Sequence, residues 1–294
     1  MYLLRSLLFA PGNHARRVEK ALTLDADAVI LDLEDAVPVD EKIPTRALVA
    51  AALRAPRPKG PRGYIRVNGY DTDLCFGDLE AVIAPGVDGI VLPMVESALH
   101  LQAVDWVMAN LERSRGLEPG AIDLVPIIET GLGLARAGEI AASDTRVRCL
   151  SFGAADFTAD MKMIWTPEEQ ELNEARARVV LESRAAELDP PVDTVFADLN
   201  DEENAERSAV RARQMGFQGK LCIHPKQVEA INRAFTPGAE EMAKAEKILA
   251  AFAEAEAEGS ASIQVDGYFV DYAIVVRARR TLALSNQIRE KEKA

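Results

Sequence analysis

The chain runs to 294 residues, 48% of them hydrophobic, with a formal net charge of −13. That length suits one α/β barrel with a large core. The acidic balance argues against a nucleic-acid surface, which needs a basic patch, and no apolar run approaches the roughly 20 residues that span a bilayer.

The first apolar run, residues 6–10, follows Arg5 and is stopped by Pro11-Gly12. A secretory signal puts its charge ahead of a longer apolar stretch, so a buried strand fits better. Further short, β-branched runs lie at 28–33, 63–67, 89–93, 123–128, 149–153, 194–199 and 219–223. Continuous apolar runs suit strands buried on both faces of a parallel sheet. Helical patterns alternate with them at 15–24, 44–53, 97–114, 132–142, within 166–187, and at 204–215 and 238–258, with a weaker candidate at 74–83. This rhythm predicts an α/β fold of the (β/α)8 TIM-barrel kind. The competitor is a doubly wound open sheet. It would ordinarily carry GxGxxG after its first strand, and that motif is absent from the sequence.

Residues 1–259 are assigned to the barrel and 260–294 to a C-terminal extension, a hairpin or strand plus helix. Val265, Phe269, Val270, Ile274 and Val275 are its candidate anchors. It reads either as a flap or arm packing on a neighbouring subunit, or as a cap without a chemical role. Cys75, Cys149 and Cys222 are far apart and form no CxxC pair, which suits reduced thiols and a cytoplasmic location.

In such barrels the active site lies at the C-terminal ends of the strands. Those ends carry Glu34 and Asp35 after strand 2, Arg66 on strand 3, Glu129 after strand 5 and Asp156 after strand 6. Carboxylates converging on one mouth repel each other unless a cation sits among them. Oxygen ligands on rigid elements suit Mg²⁺, or Mn²⁺ by the same hardness argument. Glu129 and Asp156 lie on adjacent strands, so both can reach one ion, with water and substrate completing the shell. His14, His100 and His224 are scattered without ligand spacing, which argues against zinc. No predicted strand end offers a lysine for Schiff-base chemistry: Lys220 begins strand 8 and Lys162 lies well beyond strand 6. Enolate stabilisation therefore falls to a metal acting as a Lewis acid. Arg66 can grip a substrate carboxylate through its fork, or ion-pair with Glu34 or Asp35, and both can hold together. Any one of these acids alone could equally be a helix cap or a surface ion pair.

Nearly end to end, the chain also shows a set of linked motifs. They are Arg5-Ser6 leading to Pro11-Gly12-Asn13, Asp32-Leu33-Glu34-Asp35 with Pro38, Glu41-Lys42 with Arg46, and Arg66-Val67-Asn68. Then follow Leu92-Pro93, Ile128-Glu129-Thr130, Gly153 with Asp156-Phe157, Ala175-Arg176, and Ile223-His224-Pro225. Together they resemble the citrate lyase β-subunit family, the CoA-ester lyase branch of the HpcH/HpaI aldolase superfamily. The resemblance implies Mg²⁺ on Glu129 and Asp156, with Glu34 and Asp35 around its waters. It implies that Arg66 holds the 2-oxo acid and that Pro11, Gly12 and Asn13 line the coenzyme A entrance. Residues 265–271 resemble the tail of malyl-CoA lyases, which implies that Asp271 acts as acid/base from a neighbouring subunit in a homotrimer or a hexamer of trimers. The implied partners are an acyl-CoA and a 2-oxo acid. Where the family often has Leu-Pro-Lys, this chain has Leu92-Pro93-Met94. A cationic contact is lost, which weakens the case for a dicarboxylate such as oxaloacetate. Two other readings stand beside the CoA-ester lyase: a CoA-independent 2-oxo-acid aldolase, and a subunit of a multi-subunit citrate lyase.

Overall fold

A computed structural model of the chain describes residues 3–57 and 60–293. Eight parallel strands alternate with helices. In chain order they are β1 (Ser6–Pro11), α1 (Ala15–Ala21), β2 (Ala28–Asp32), α2 (Lys42–Leu53), β3 (Arg62–Arg66), α3 (Cys75–Val82), β4 (Gly89–Leu92) and α4 (Ala98–Ser114). There follow β5 (Asp123–Ile128), α5 (Gly131–Ala135), α6 (Ala137–Ala141), β6 (Ser151–Phe152), α7 (Ala154–Asp160), α8 (Asn173–Ala185), β7 (Val192–Asp193), α9 (Glu202–Met215), β8 (Gly219–Cys222) and α10 (Lys226–Phe235). The strands close into a barrel in sequence order, β1 pairing with both β2 and β8. The expected TIM-barrel fold is therefore the observed one.

Strand alternation divides the core in two. Leu7, Ile30, Tyr64, Val91, Val125, Ile127, Val192 and Leu221 form one cluster inside the barrel. Their neighbours Leu8, Val29, Leu31, Ile65, Ile90, Leu124 and Cys222 join a larger cluster beneath the helices. Strands apolar on both faces were legible as continuous runs for this reason. Closure needs one glycine: a Cβ at Gly219 would lie 1.6 Å from the Leu4 carbonyl oxygen, where β8 meets the chain entering β1. Cys75, Cys149 and Cys222 are all buried and unbridged. Among the described residues no helix is long and apolar enough to cross a membrane.

The seventh strand differs from expectation. It is Val192–Asp193, not 194–199, which carries no strand. The preceding Pro190-Pro191 and the acid within it hid this strand. Asp193 is fully buried because Arg176 and Lys220 pair with it, Arg176 Nε at 2.8 Å and Lys220 Nζ at 2.7 Å. Arg176 also meets Glu169 at 2.9 Å, giving two buried cations and two buried anions between barrel and helices. Lys220 is thus committed to this network. α7 and α10 were not anticipated, although Pro225 just ahead of α10 is a helix-start signal. The single helix expected at 132–142 is two short ones meeting at Arg136.

The chain divides into two compact units, the first ending at Phe235 and the second beginning at Thr236. The second contains α11 (Ala239–Ala257), a hairpin of β9 (Ile263–Val265) and β10 (Tyr268–Val270), and α12 (Tyr272–Lys293). The expected boundary after residue 259 falls inside this unit, because α11 packs against α12 and β9. The unit's core joins Ala245, Ile248 and Phe252 to Val265, Val270 and Val275, with Ile274 partly buried. Phe269 is not an anchor: it is 68% exposed, since alternation along β10 turns it away from Val270.

Candidate active site

Pairing in register brings the ends of β1, β2 and β3 together, Pro11 beside Asp32 and Asp32 beside Arg66. The Arg66 fork closes on Asp32, Nε to Oδ1 at 2.7 Å and Nη2 to Oδ2 at 2.6 Å. Asp32 also accepts the backbone N–H groups of Glu34 and Ala36, both at 3.0 Å, so it folds the loop that carries the expected acids. Arg66 Nη1 lies 2.8 Å from Glu34 Oε2 and 3.5 Å from Asp35 Oδ2. The ion pairs anticipated for Arg66 are therefore present, and Asp32 adds one that sequence reasoning did not assign. Nη1 and Nη2 each carry two N–H groups. Those two share the end-on edge of the guanidinium, which suits a carboxylate. The Phe9 ring centroid lies 4.8 Å from Cζ, a cation–π contact.

Glu129 follows β5 directly and is buried, with 3% of its surface exposed. Its Oε1 accepts the Met94 N–H at 2.7 Å. Burial is the main force on its carboxyl, and nearby Asp156 and Glu34 add to it. The Met94 N–H and Arg66 oppose them, and the pKa is pushed up to about 8. Glu34 is raised to about 7, again chiefly by burial, with Arg66 opposing and Asp35 and Asp32 reinforcing. Asp156 lies in the first turn of α7 and is exposed. The β5–β6 pairing sets its loop beside Glu129, Ile128 pairing with Phe152. Gly153 is the contact point: a Cβ there would lie 2.5 Å from Glu129 Oε2.

These residues meet the requirements of a hard divalent cation. Burial raises the carboxyls of Glu129 and Glu34, and a cation bound beside them would favour their charged forms. Glu34 Oε2 is buried and, despite its 2.8 Å approach to Arg66, lacks an aligned hydrogen-bond donor. Among the described residues no cluster of three or more His, Cys, Asp or Glu side chains is arranged to hold a metal. Glu129 and Asp156 would thus leave most coordination positions to water and substrate, as Mg²⁺ sites commonly do. Ser151 Oγ is buried without a hydrogen-bond partner; Ser151 pairs with Ile127 of the inner cluster.

A lysine does stand behind this mouth, at the start of α2 and not on a strand end. Lys42 Nζ is buried, donating to the carbonyls of Leu33 at 3.2 Å and Glu34 at 2.8 Å and to Asn68 Oδ1 at 2.6 Å. Asn68 in turn is held by Asp78, which Arg46 Nε meets at 2.7 Å. With three acceptors Lys42 is a charged strut, not a free amine for Schiff-base formation.

At the entrance, Gly12 N–H donates to the Asp32 carbonyl at 2.9 Å, laying the loop over the end of β2. Asn13 Nδ2 donates to Glu41 Oε2 at 2.6 Å, while Asn13 Oδ1 is buried without a partner. Asn13 shares an open hollow of about 580 Å³ with His14, Arg16, Arg17 and Lys20. Arg16, Arg17 and Lys20 carry no ion pair among the described residues, in a chain of net charge −13. Sequence reasoning passed over them, although Arg16-Arg17 with Lys20 on a short helix was the available signal. Asp271 lies in the second unit and caps α12, its Oδ1 accepting the N–H groups of Ala273 at 3.0 Å and Ile274 at 3.2 Å.

A profile of the HpcH/HpaI aldolase/citrate lyase family matches residues 5–225. The citrate lyase subunit beta of Leuconostoc mesenteroides is 37% identical over 97% of this chain and 94% of its own length. A (3S)-malyl-CoA thioesterase of Cereibacter sphaeroides is also 37% identical, over 97% and 95% of the two chains. The crystal structure of the Mycobacterium tuberculosis protein CitE in complex with magnesium, acetoacetate and coenzyme A superimposes with a TM-score of 0.78 at 27% identity, over 96% of this chain and 97% of that one. The chain belongs to the HpcH/HpaI aldolase/citrate lyase family and is an enzyme of its carbon–carbon lyase class.

Proposed function

We propose that this protein is a Mg²⁺-dependent lyase acting on a 3-hydroxyacyl-CoA such as malyl-, citramalyl- or citryl-CoA. It would split the thioester into acetyl-CoA and a 2-oxo acid, or join them. The observation that carries this reading is the convergence of Glu129, Glu34 and Arg66, with Asp156 beside them, at the C-terminal mouth of one barrel. The magnesium, acetoacetate and coenzyme A bound by the tuberculosis relative match that mouth in chemistry.

Glu129 and Asp156 would hold the ion. When bound it polarises the hydroxyl oxygen of the substrate and stabilises its negative charge. Arg66 receives the carboxylate on its end-on edge, while Asp32 keeps the guanidinium planar to the site. Glu34 and Asp35 accept hydrogen bonds from water around the ion. The hydroxyl proton passes to water held by Glu34 and Asp35, the C2–C3 bond breaks as the oxygen becomes the 2-oxo group, and the electron pair of that bond passes into the thioester as an enolate. Asp271 of a neighbouring subunit protonates that enolate carbon. In the forward condensation the same carboxylate removes the methyl proton of acetyl-CoA, by microscopic reversibility. Oδ1 is occupied in capping α12, which leaves Oδ2 for the proton. Pro11, Gly12 and Asn13 line the thioester's entrance, and the unpaired cations of Arg16, Arg17 and Lys20 beside His14 suit its phosphates. Met94 supplies no positive charge, so glyoxylate or pyruvate fits better than oxaloacetate.

The test is an assay of the isolated protein with Mg²⁺, acetyl-CoA, and glyoxylate, pyruvate or oxaloacetate in turn, reading the new thioester by mass. Condensation is expected with the first two, and loss of most activity in Glu129→Gln and Asp156→Asn. Full activity in excess chelator would overturn the metal. Turnover of a free aldehyde but no thioester would favour the CoA-independent aldolase.

A further inference from the structure

The stretch that closes β4 has one donor to offer the mouth of the barrel. Leu92 belongs to the ladder, Pro93 has no N–H, and Met94 supplies the first free one. That N–H reaches Glu129 Oε1 at 2.7 Å, although Met94 belongs to the neighbouring strand's loop. It does so by an uncommon route: Met94 has φ +54°, in the left-handed region. The other non-glycine residues with positive φ among those described are Asp144, Lys162, Glu169, Glu187 and Asp266, all charged, so Met94 is the apolar exception. Its side chain is 41% exposed. Packing of that side chain therefore does little to enforce the turn. The backbone on either side does more. Val95 N–H donates to the Ile127 carbonyl at 3.4 Å, and a Cβ at Gly133 would lie 2.6 Å from the Val95 carbonyl oxygen, so the strand is clamped just beyond the turn.

Glu129 has few other restraints. Its Oε2 lies over Gly153, which has no side chain to hold it. The direction of the carboxylate thus depends on the Met94 N–H. We propose that Met94 is a positioning residue: its left-handed backbone, not its side chain, aims Glu129 Oε2 at the divalent cation. This rests on the reading of Glu129 as a metal ligand. The proposal makes an unusual ranking. Residues that tolerate a left-handed backbone preserve the site whatever their side chain, and β-branched residues damage it whatever their polarity.

The test is Mn²⁺ binding to the full-length protein without substrate, read by electron paramagnetic resonance, in Met94→Gly, Met94→Asn, Met94→Ile and Glu129→Gln. Glycine and asparagine should bind close to the wild-type affinity. Isoleucine should bind about tenfold more weakly, the scale seen when a group orienting a metal ligand is lost, with an unchanged far-ultraviolet dichroism spectrum. Wild-type affinity in Met94→Ile, with binding lost in Glu129→Gln, overturns the proposal and leaves the metal reading standing. Glycine and asparagine variants as weak as isoleucine overturn it too, because the thioether would then be what matters. Wild-type affinity in Glu129→Gln overturns the metal reading itself. If Met94→Ile does not fold, the glycine and asparagine arms still decide, since loss of Mn²⁺ in either contradicts a backbone role.

Discussion

Replacing Gly153 by alanine tests how closely β6 must approach β5 at the mouth. The new Cβ would lie 2.5 Å from Glu129 Oε2, 2.8 Å from Glu129 Cβ and 2.9 Å from Ile127 Cγ2. Ordinary contact between such atoms begins at roughly 3.5 Å. A carboxylate oxygen can swing away, but Glu129 Cβ and Ile127 Cγ2 are fixed to a buried strand, so the two strand ends must part or Glu129 must leave its place. Overpacking of this kind costs about 1–3 kcal/mol. For a unit of this size that lowers the melting temperature by roughly 2–10 °C. A displacement of about 1 Å at a reacting centre can cost on the order of a hundredfold in turnover. Scanning calorimetry should therefore show a modest loss of stability, and steady-state assay a much larger relative loss of kcat. Wild-type melting and wild-type kcat together would refute the close approach. An unfolded variant would show that Gly153 serves closure of the barrel more than the site.

Arg66→Lys keeps the charge but loses the fork that engages Asp32, and it should raise KM for the 2-oxo acid far more than for the thioester. KM values unchanged from the wild type for both substrates would confine Arg66 to its ion pairs. Asp271→Asn and Glu129→Gln, each nearly inactive alone, should regain part of their activity when co-assembled, because some sites would draw one intact residue from each chain; dead mixed oligomers would place Asp271 in its own chain or outside the chemistry. Lys220→Met leaves Asp193 and Glu169 sharing one cation and should cost about 3–5 kcal/mol in urea unfolding. Burial pushes the Asp193 carboxyl up, but Lys220 and Arg176 outweigh it and hold its pKa below the usual range. A depressed folded pKa gives a contribution that is present above the unfolded value of about 3.9 and lost as pH falls through the folded one. As pH falls below about 3.9, stability in urea unfolding is expected to drop more steeply in the wild type than in Lys220→Met.

The strand rhythm was legible because parallel barrel strands bury both faces, and runs such as 28–33 and 123–128 need no partner to announce themselves. β7 was not, because Asp193 reads as a polar interruption until Arg176 and Lys220, distant in sequence, are seen to neutralise it. The candidate acids and Arg66 could be picked out because barrel topology says where strand ends go, once the strands are found. Tertiary structure alone supplied the rest of the mouth. Asp32 and Glu34 are two residues apart, yet Asp32 takes the Arg66 fork while Glu34 stays under Nη1, a choice made by the β2–β3 register. Lys42 had no role of its own in the sequence reading, and only the β2 and β3 ends supply its acceptors. The turn at Met94, the space over Gly153 and the raised carboxyls of Glu129 and Glu34 belong to no segment by itself. They arise where neighbouring strands are forced to within a few ångströms of each other, and sequence order carries no measure of that distance.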